Sequence, residues 1–588
     1  MDKQLFLSKI LTPWTILVRV SLICSLLGAI IFGLSLRRIE PIPVSQSPLH
    51  FNSGNAYETA RYLSKNFPRR VTWSENRVRA GNWLKKEFSK LGYTPKSLKF
   101  SEVIAGKLYT DLENIYVEKK GSTHPNEIIV AMAHYDITDT TIEGAMDDAS
   151  GVGVVLELAR LFSKEKTDRT LLFLLTDSEE FGAFWGARAF AHSYEFSDRI
   201  VAAANFDFIS PENQTKVLTL CDGLKTGYTP LWLREIALNS LRSLGTIQAL
   251  DMSGIEEFVE RAMQIPPADH GAFLAANLPA FNWVGQTDNF AHIMSHYHHT
   301  RFDVMEALNV NSFEPFGKGA ERVIRTVDSL QKLPEDFKDS SYWKLSTNYY
   351  LPGWAVTLIH ILAFIPFLAY ALSKFEKAFR GKSKIRILEV IKNEAKGISI
   401  LLGSLLLGYV VILLLPALHV ITLYETFPAT QKALLLNSPN FLAIFLVIAF
   451  VLGVYWVFKR TFSGPNDSSG YIEIRHAVHA VCLILIIFLA FLKNSYLAVL
   501  LLLPPAYFWT AISSRRGTDS RILNGLLLLG GSITFVIMAL LLTTVFHVGV
   551  FYWYIFLAAA YGLFSAYSVV LFFMTLTVMI RLFRSFVL

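Results

Sequence analysis

The hydrophobic pattern divides the chain into three segments of different character. Residues 14–36 form a predominantly apolar run with one charge, Arg19, near its start. From about 45 to 345, short apolar runs alternate with amphipathic stretches, and long apolar runs dominate again from Pro352 onwards. A helix of about 20 apolar residues is long enough to cross a bilayer. The pattern therefore predicts an N-terminal membrane helix, a soluble domain and a second membrane region.

The hydrophobic periodicity of the middle segment is typical of alternating strands and helices. Continuous apolar runs at 127–133, 170–176 and 201–206 predict buried strands. The periodicity of residues 151–162 predicts an amphipathic helix between the first two of these strands. Strands that alternate with helices favour a parallel sheet covered by helices on both faces. We therefore predict an α/β fold for this segment.

The C-terminal region contains seven apolar runs. They cover residues 352–373, 398–419, 440–458, 476–492, 496–512, 522–547 and 551–580. The loop after the first run carries eight basic residues, and smaller groups of basic residues follow the third, fifth and seventh runs. Loops rich in lysine and arginine remain on the cytoplasmic side. The middle domain is therefore expected on the non-cytoplasmic side.

The N-terminal run predicts an uncleaved signal anchor, because no small-x-small cleavage site closes it before Arg37 and Arg38. Together with the seven later runs it gives eight spans, with both termini on the cytoplasmic side. Nine spans stay open, because the run at 551–580 is long enough to split. The predicted domains are an anchor at 1–40, an extracytoplasmic domain at 45–345 and a transmembrane domain at 350–588.

The composition agrees with this division. The 588 residues are 52% hydrophobic and 18% charged, whereas soluble domains carry about 25% charged residues. The net charge of +7 is explained by cytoplasmic loops, so we expect no nucleic-acid partner. Cys24, Cys221 and Cys482 lie far apart and form no CxxC pair, which argues against a disulfide framework.

Acidic residues and histidines recur where the predicted strands end. They occur in the segments His134–Asp136, Met146–Gly151, Asp177–Gly182, Asn205–Asp207 and His299–Asp303. Ligands of open α/β sheets gather at the carboxyl ends of the strands. Each segment alone has an ordinary explanation, such as a helix cap or a solvated surface. Their joint occurrence in one domain favours a shared site.

The residue types suit zinc. Histidine nitrogens and carboxylate oxygens are zinc ligands, and two ions that share a carboxylate can polarise a carbonyl group and a water molecule. Such chemistry also needs a free carboxylate that moves a proton. The adjacent Glu179 and Glu180 allow one carboxylate to bind metal while the other acts as the base. Asp136 is placed to orient the imidazole of His134.

The pattern resembles the co-catalytic zinc exopeptidases of peptidase family M28 over roughly residues 55–330. The resemblance is carried by His134-x-Asp136, Asp147-Asp148-Ala149-Ser150-Gly151, Glu179-Glu180-x-Gly182, Asn205-x-Asp207 and His299-Thr300-x-x-Asp303. It implies a mixed, mostly parallel sheet sandwiched by helices. The order of anchor, peptidase domain and several spans further resembles endoplasmic-reticulum metallopeptidase-like proteins.

The resemblance also implies a ligand set for two zinc ions. His134 and Asp207 would bind one ion, Glu180 and His299 would bind the other, and Asp147 would bridge them. The choice of His299 over the preceding histidine rests on the family's His-Thr-x-x-Asp pattern.

Further roles follow from the same resemblance. Glu179 would be the general acid/base, and Asp136 would support His134. Asp269, in an Asp-His-x-x-Phe segment, is a candidate substrate contact, although a helix cap explains it equally well. These assignments imply hydrolysis of peptide bonds, with an aminopeptidase expected and the oligomeric state left open.

Three other functions are compatible with the pattern. A glutaminyl cyclase would use one zinc ion, a receptor-like ectodomain would be non-catalytic, and the main activity could lie in the membrane region. A carboxypeptidase would need a basic residue such as Arg261 or Arg301 for the substrate carboxylate. Asn213 begins an Asn-x-Thr sequon, a glycosylation site if the chain enters a eukaryotic secretory compartment.

Overall fold

The computed structural model describes most of the chain. The described residues are 13–104, 107–180, 184–211, 214–380, 384–423, 439–462, 472–514, 530–531, 533, 535–537, 540, 551–562 and 564–587. They form two compact units, one of which contains residues 38–350, while the other contains the described residues before and after this range. Asn213 and most of the predicted run 522–547 lie outside the described residues.

The soluble unit is built on an eight-stranded mixed sheet. Its strands are β1 (Lys96–Ile104), β2 (Lys107–Lys119), β3 (His124–His134), β4 (Arg169–Thr176), β5 (Ile200–Phe206), β6 (Lys216–Leu220), β7 (Gln248–Asp251) and β8 (Ala280–Gln286). Their order across the sheet is β1-β2-β4-β3-β5-β8-β6-β7. Strands β4, β3, β5 and β8 run parallel to their neighbours within this group. Strand β2 pairs antiparallel with β1 and β4, and β6 pairs antiparallel with β8.

Helices of the soluble unit flank this sheet, whereas the first helix of the chain belongs to the other unit. In chain order, the helices up to the end of the soluble unit are α1 (Pro13–Ser35), α2 (Ser53–Asn66), α3 (Glu75–Lys90), α4 (Ser150–Ser163), α5 (Trp185–Ser193), α6 (Leu231–Arg242), α7 (Ile255–Met263), α8 (His270–Ala275), α9 (Phe290–His296) and α10 (Val310–Asp328). Helical turns add Ala145–Ala149, Ser197–Arg199 and Met305–Ala307, and short strands add Arg37–Arg38, Tyr342–Lys344 and Tyr349–Pro352.

Strand β3 shows why the sheet has two cores. Successive side chains of a strand point to opposite faces. Ile129 and Ala131 belong to the core that contains α4, while Val130 and Met132 belong to the core that contains α5 and α8. A strand that is buried on both faces reads as a continuous apolar run, which is what the sequence shows. The predicted mixed sheet sandwiched by helices is confirmed.

The second unit is a bundle of apolar helices. These are α1 together with α11 (Gly353–Phe379), α12 (Lys384–Leu414), α13 (Phe441–Phe462), α14 (Ile472–Lys493), α15 (Ser495–Leu497), a turn at Ala498–Leu502, α16 (Leu503–Ser514), α17 (Phe551–Ala560) and α18 (Ala566–Val587). Five of the described helices, α1 and α11 to α14, are long and apolar enough to cross a membrane. The chain is therefore a membrane protein.

One helix begins earlier than its predicted run, and the run at 551–580 is split, as its length allowed. Helix α12 begins at Lys384, well before the apolar run predicted from residue 398, because its first turns are polar and continue the helix outside the apolar stretch. The run at 551–580 is divided into α17 and α18, with a break around Gly562, whose φ of +69° suits only glycine well.

Helices α1 and α11, which precede and follow the soluble unit, pack against each other. Leu17 of α1 packs against Tyr370 and Ala371 of α11 in one apolar cluster. Within the soluble unit, the N–H of Ile39 donates to the carbonyl oxygen of Asn348 over 2.8 Å. The first and last residues of the soluble unit are therefore adjacent in space.

Candidate metal centre and active site

Five segments bring their polar side chains to one edge of the sheet. His134 is the last residue of β3, Asp207 directly follows β5, and Glu179 and Glu180 follow β4 by three and four positions. Asp147 lies in the turn before α4. All five side chains are buried. His299, which follows α9, completes the group with a side chain that is 14% exposed.

The carboxylate of Asp147 stands at the centre of the group. Its Oδ1 lies 3.0 Å from Nε2 of His134, and its Oδ2 lies 3.1 Å from Nε2 of His299. On the first side, His134 Nε2 is also 3.8 Å from Oδ1 of Asp207. On the second side, His299 Nε2 is 2.8 Å from Oε2 of Glu180. The two oxygens of one carboxylate thus face two different sets of donors.

Potential ligand atoms converge in three overlapping groups among the described residues. Within each group the atoms lie within 4.8 Å of one another, and the groups are His134 with Asp147 and Glu180, His134 with Glu179 and Asp207, and Asp147 with His298 and His299. Nitrogen and carboxylate oxygen donors at such spacing fit zinc, whose bonds to these atoms are about 2.0–2.2 Å. The donor set therefore suits the metal that the sequence predicts.

Asp136 connects the His134 segment to the Glu179 segment. Its carboxylate accepts hydrogen bonds from the backbone N–H of Glu179 at 3.1 Å and of Glu180 at 3.5 Å. Its Oδ1 lies 3.5 Å from Nδ1 of His134, at the outer limit of a hydrogen bond. The same carboxylate also accepts from Oγ1 of Thr72. Asp136 therefore fixes the backbone that carries both glutamates as well as facing the imidazole.

Two further aspartates hold the backbone around Asp147. Asp303 accepts from the N–H of Met146 at 2.7 Å and of Asp147 at 3.2 Å. Asp148 accepts from the N–H of Gly151, His134 and Phe208 at 2.8, 3.3 and 3.4 Å. The second contact set joins β3, β5 and the start of α4. The sequence contained both aspartates within recognised motifs but gave no signal for these roles.

Arg70 is a scaffold residue that sequence reasoning missed. It is fully buried and donates to the carbonyl oxygens of Tyr135 at 2.7 Å and Gly144 at 2.8 Å, and also to that of Glu143. It thereby ties the end of β3 to the turn that carries the central carboxylate. Burial lowers the pKa of Arg70 to about 10, although nearby aspartates oppose this change. A single arginine in a polar loop carries no sequence signature for such a position.

Backbone strain surrounds the site. Ser178, Phe208 and His299 have φ values of 62°, 66° and 54°. Residues other than glycine rarely adopt this left-handed region, and such strain clusters at functional sites. The three residues are adjacent to or part of the acidic and histidine group, and their backbone sets the directions of its side chains.

The electrostatics of the group call for a cation. Burial raises the pKa of Glu179 well above its usual range, and the carboxylates of Glu180 and Asp207 raise it further. Burial also raises the pKa of Glu180 to about 7. For His134, burial alone would lower the pKa, but the carboxylates around it outweigh burial and raise the pKa. Buried carboxylates that outnumber the histidines are stabilised by a divalent cation.

The remaining candidate residues lie in different surroundings. Asp269 is fully buried and accepts a hydrogen bond from Oγ1 of Thr176, and its side chain makes no capping hydrogen bond to α8. Its role as a substrate contact stays a prediction. Arg261 bonds Glu257 over 2.7 Å and stacks over the ring of Tyr228, so it belongs to a separate ionic network.

Comparison with known proteins finds one family whose sequence profile this region matches. Residues 114–324 match the profile of Peptidase family M28. The matched range contains every residue of the acidic and histidine group described above.

Two curated relatives are similar to part of the chain. The vacuolar membrane protease of Candida glabrata is 26% identical over 149 residues, which are 25% of this chain and 15% of the relative. A probable zinc metalloprotease of Pyrenophora tritici-repentis is 31% identical over 150 residues, which are 23% of this chain and 33% of the relative. The chain thus matches one third or less of the length of these relatives.

Two solved structures are similar to about half of the chain. BSAP, a zinc aminopeptidase from Bacillus subtilis, has 15% identity and a TM-score of 0.41, covering 49% of this chain and 98% of that chain. Porphyromonas gingivalis glutaminyl cyclase has 18% identity and a TM-score of 0.41, covering 47% of this chain and 99% of that chain.

Proposed function

We propose that the protein is a membrane-bound zinc exopeptidase that releases N-terminal residues from peptides. The observation that carries the proposal is the division of the Asp147 carboxylate between His134 and His299, beside a buried Glu179. This arrangement suits two ions that share one carboxylate. The M28 match and the zinc metalloprotease relative support the same reaction class.

The proposed ligands form two sets, one beside each oxygen of the Asp147 carboxylate. His134 and Asp207 would hold one zinc ion, Glu180 and His299 would hold the other, and Asp147 would contribute one oxygen to each. Bound zinc would polarise the peptide carbonyl group and lower the pKa of a water molecule.

Glu179 is the proposed general acid/base. It is buried and shares a group of converging donor atoms with His134 and Asp207. Its carboxylate would take a proton from the attacking water while the water oxygen bonds to the carbonyl carbon. The same proton would pass to the leaving nitrogen as the carbon–nitrogen bond breaks. Asp136 would hold the Glu179 backbone in place during both transfers.

An amine-recognising peptidase is favoured over a carboxypeptidase. The site is rich in buried carboxylates, which attract a protonated N-terminus. The two arginines considered for binding a substrate carboxylate are both placed unfavourably for that role. Arg261 is bonded to Glu257, and Arg301 is exposed and lies over the ring of Phe302.

The decisive experiment uses the full-length protein in detergent with Glu179→Gln. We expect zinc content near two ions per chain in the wild type and in the variant, by elemental analysis. Release of N-terminal residues from a peptide panel should fall by at least about 1000-fold in the variant, because the proton carrier is lost. Glu195→Gln, an exposed substitution of the same type, is the matched control and should change neither readout.

Each alternative has its own signature in this experiment. If Glu179→Gln turns over peptides at the wild-type rate, Glu179 is not the general base. One zinc ion with pyroglutamate formation would replace the peptidase by a glutaminyl cyclase. Zinc-free protein without turnover would leave a non-catalytic ectodomain.

The topology is part of the proposal. We propose that the domain at 45–345 faces the non-cytoplasmic side, between an anchor at 1–40 and a transmembrane domain at 350–588. This proposal is supported by the basic residues that follow the first, third, fifth and seventh C-terminal apolar runs. In sealed vesicles of known orientation, a protease on the cytoplasmic face should leave this domain intact. Digestion of the domain from that face would overturn the topology.

A further inference from the structure

A loop rich in threonine lies between strand β3 and the turn that carries Asp147. This threonine loop, residues 138–143, has the sequence TDTTIE. The hydroxyl group of Thr140 donates a hydrogen bond to the backbone carbonyl oxygen of His299 over 2.8 Å, although the two residues are 159 positions apart in the sequence. The threonine loop therefore contacts a proposed zinc ligand through its backbone and not through its imidazole.

Three hydroxyl groups of this loop form a chain that ends on His299. Oγ1 of Thr138 lies 3.1 Å from Oγ1 of Thr140 and 2.9 Å from Oγ1 of Thr141. A hydroxyl group has a single proton, and Thr140 uses its proton for the carbonyl oxygen of His299. Thr138 must therefore donate to Thr140, and Thr141 must donate to Thr138. Hydrogen bonds in such a chain polarise one another, which strengthens the bond that Thr140 donates.

The backbone of His299 needs an external constraint. Its φ of 54° lies in the left-handed region, which is unfavourable for residues other than glycine and persists only where the surroundings enforce it. Rotation of this backbone would swing Nε2 of His299 away from Oδ2 of Asp147, at 3.1 Å, and from Oε2 of Glu180, at 2.8 Å. The hydrogen bond on the carbonyl oxygen opposes that rotation.

The threonine loop also holds the far end of the segment 299–305. Oε2 of Glu143 accepts a hydrogen bond from the backbone N–H of Met305 over 2.9 Å. Within the segment, the carboxylate of Asp303 accepts from the backbone N–H of Asp147 over 3.2 Å. The segment is therefore tied at both ends to the loop that leads into the turn of the central carboxylate.

We propose that Thr140 is a positioning residue of the metal centre, whose hydroxyl group holds the backbone of His299 in the conformation that directs the imidazole at zinc. This inference rests on the proposed function, because it takes His299 as a zinc ligand. Thr138 supports Thr140 and acts one step further away. Loss of either hydroxyl group should lower zinc affinity although no donor atom to the metal is removed.

The test measures the zinc affinity of the full-length protein in detergent by competition with a chelator of known affinity. Thr140→Val keeps the shape of the side chain and removes the hydroxyl group. We expect this variant to bind zinc about 10–100-fold more weakly, as loss of a group that orients a ligand commonly causes. Thr140→Ser keeps the hydroxyl group and should bind zinc like the wild type. Thr94→Val makes the same change at an exposed position and should also bind zinc normally.

A second variant tests the order of the hydroxyl chain. Thr138→Val removes the donor to Thr140 but leaves the bond between Thr140 and His299. Its loss of zinc affinity should be smaller than that of Thr140→Val. A loss as large as that of Thr140→Val would overturn the order of the chain.

Cobalt in place of zinc gives a second readout, because its visible absorption depends on the geometry of its ligands. The absorption bands should shift in Thr140→Val and remain as in the wild type in Thr140→Ser. Partial unfolding would instead lower the intensity of the bands without shifting them, and this result would overturn the positioning role.

Two results of the affinity measurement would also overturn the proposal. One is wild-type zinc affinity in Thr140→Val. The other is an equal loss of affinity in Thr140→Ser and Thr140→Val, because the hydroxyl group would then not be the cause.

Failure of the proposed function remains distinguishable from failure of this inference. If the wild type binds zinc but releases no N-terminal residues, the exopeptidase proposal fails while the role of Thr140 stands on the affinity data. If peptides are cleaved and Thr140→Val binds zinc like the wild type, the exopeptidase proposal stands and the role of Thr140 fails. A wild type that binds no zinc would overturn both.

Discussion

Several aspartates of the site hold the backbone of neighbouring segments in place. Asp303, Asp148 and Asp136 each accept two or three backbone N–H groups from segments that carry proposed ligands. Such partners fix the orientation of metal ligands, and their loss commonly lowers metal affinity. The aspartates therefore set the geometry on which the proposed chemistry depends.

Asp303→Asn tests this view at the turn that carries Asp147. The amide has one acceptor oxygen in place of two, so one of the N–H groups of Met146 and Asp147 loses its partner. We expect zinc affinity to fall about 10–100-fold, measured by competition with a chelator of known affinity. Asp198→Asn, at an exposed position, should bind zinc normally. An unchanged zinc affinity in Asp303→Asn would show that these two hydrogen bonds are not needed to keep the turn in place.

Gly151→Ala tests the close approach of α4 to β5. A Cβ atom at this position would lie 1.9 Å from the carbonyl oxygen of Phe206 and 2.5 Å from the carboxylate of Asp148. We expect loss of at least about 3 kcal/mol of stability, because only backbone movement relieves the clash. Thermal melting of the purified protein measures the loss. Gly28→Ala, where a Cβ meets nothing within 4 Å, is the control.

The sequence predicted which residues form the site better than it predicted the contacts between them. His134, Asp147 and Asp207 stand at strand ends, and the parallel order of β3 and β5 brings such ends together. The direction of His298 depends on the φ of His299 and on packing against Phe208. Local pattern does not encode these two features, so the sequence did not predict that His298 also faces Asp147.

At the scale of elements, three helices of the bundle meet at a buried ionic cluster. Glu394 of α12 lies 2.9 Å from Arg475 and 3.1 Å from His479 of α14, and 2.5 Å from Arg581 of α18. Glu394 and His479 are buried. His479 is thus one of three partners of a shared carboxylate.

Glu394→Gln should destabilise the helical bundle. Removal of the carboxylate leaves two arginines without their shared anion in an apolar region, and breaking a buried pair costs about 3–5 kcal/mol. We expect a lower melting temperature in detergent and earlier aggregation on heating. Glu389→Gln, exposed on the same helix, should melt like the wild type. Equal melting of the two variants would mean that the cluster contributes little.

Elements with a strong pattern were predicted, and those with a weak one were not. Strands β3, β4 and β5 are apolar throughout because both faces are buried, so their runs are visible in the sequence. Strand β1 alternates exposed and half-buried positions up to its last residue, and β7 has only four residues. The order β8-β6-β7 also depends on pairings between distant segments, which periodicity does not record.

The whole molecule should respond to metal removal mainly through its soluble unit. A ligand at about 100 times its dissociation constant stabilises the folded state by about 2.7 kcal/mol. For a domain of this size that corresponds to a melting temperature lower by roughly 5 °C per ion after chelation. Differential scanning calorimetry with and without a zinc chelator measures the change. Re-addition of zinc should restore the original transition, and identical traces in both states would exclude a tightly bound metal.

The adjacency of Ile39 and Asn348 has a consequence for limited proteolysis of the protein. Because the soluble unit is joined at both ends to helices that are long and apolar enough to cross a membrane, a single proteolytic cut at either junction leaves it attached through the other. Release into the surrounding fluid requires two cuts, one near residue 38 and one near residue 350. A nicked molecule keeps its two halves together through the contacts inside the soluble unit, so limited cleavage would alter its size on a denaturing gel without freeing it from the bilayer.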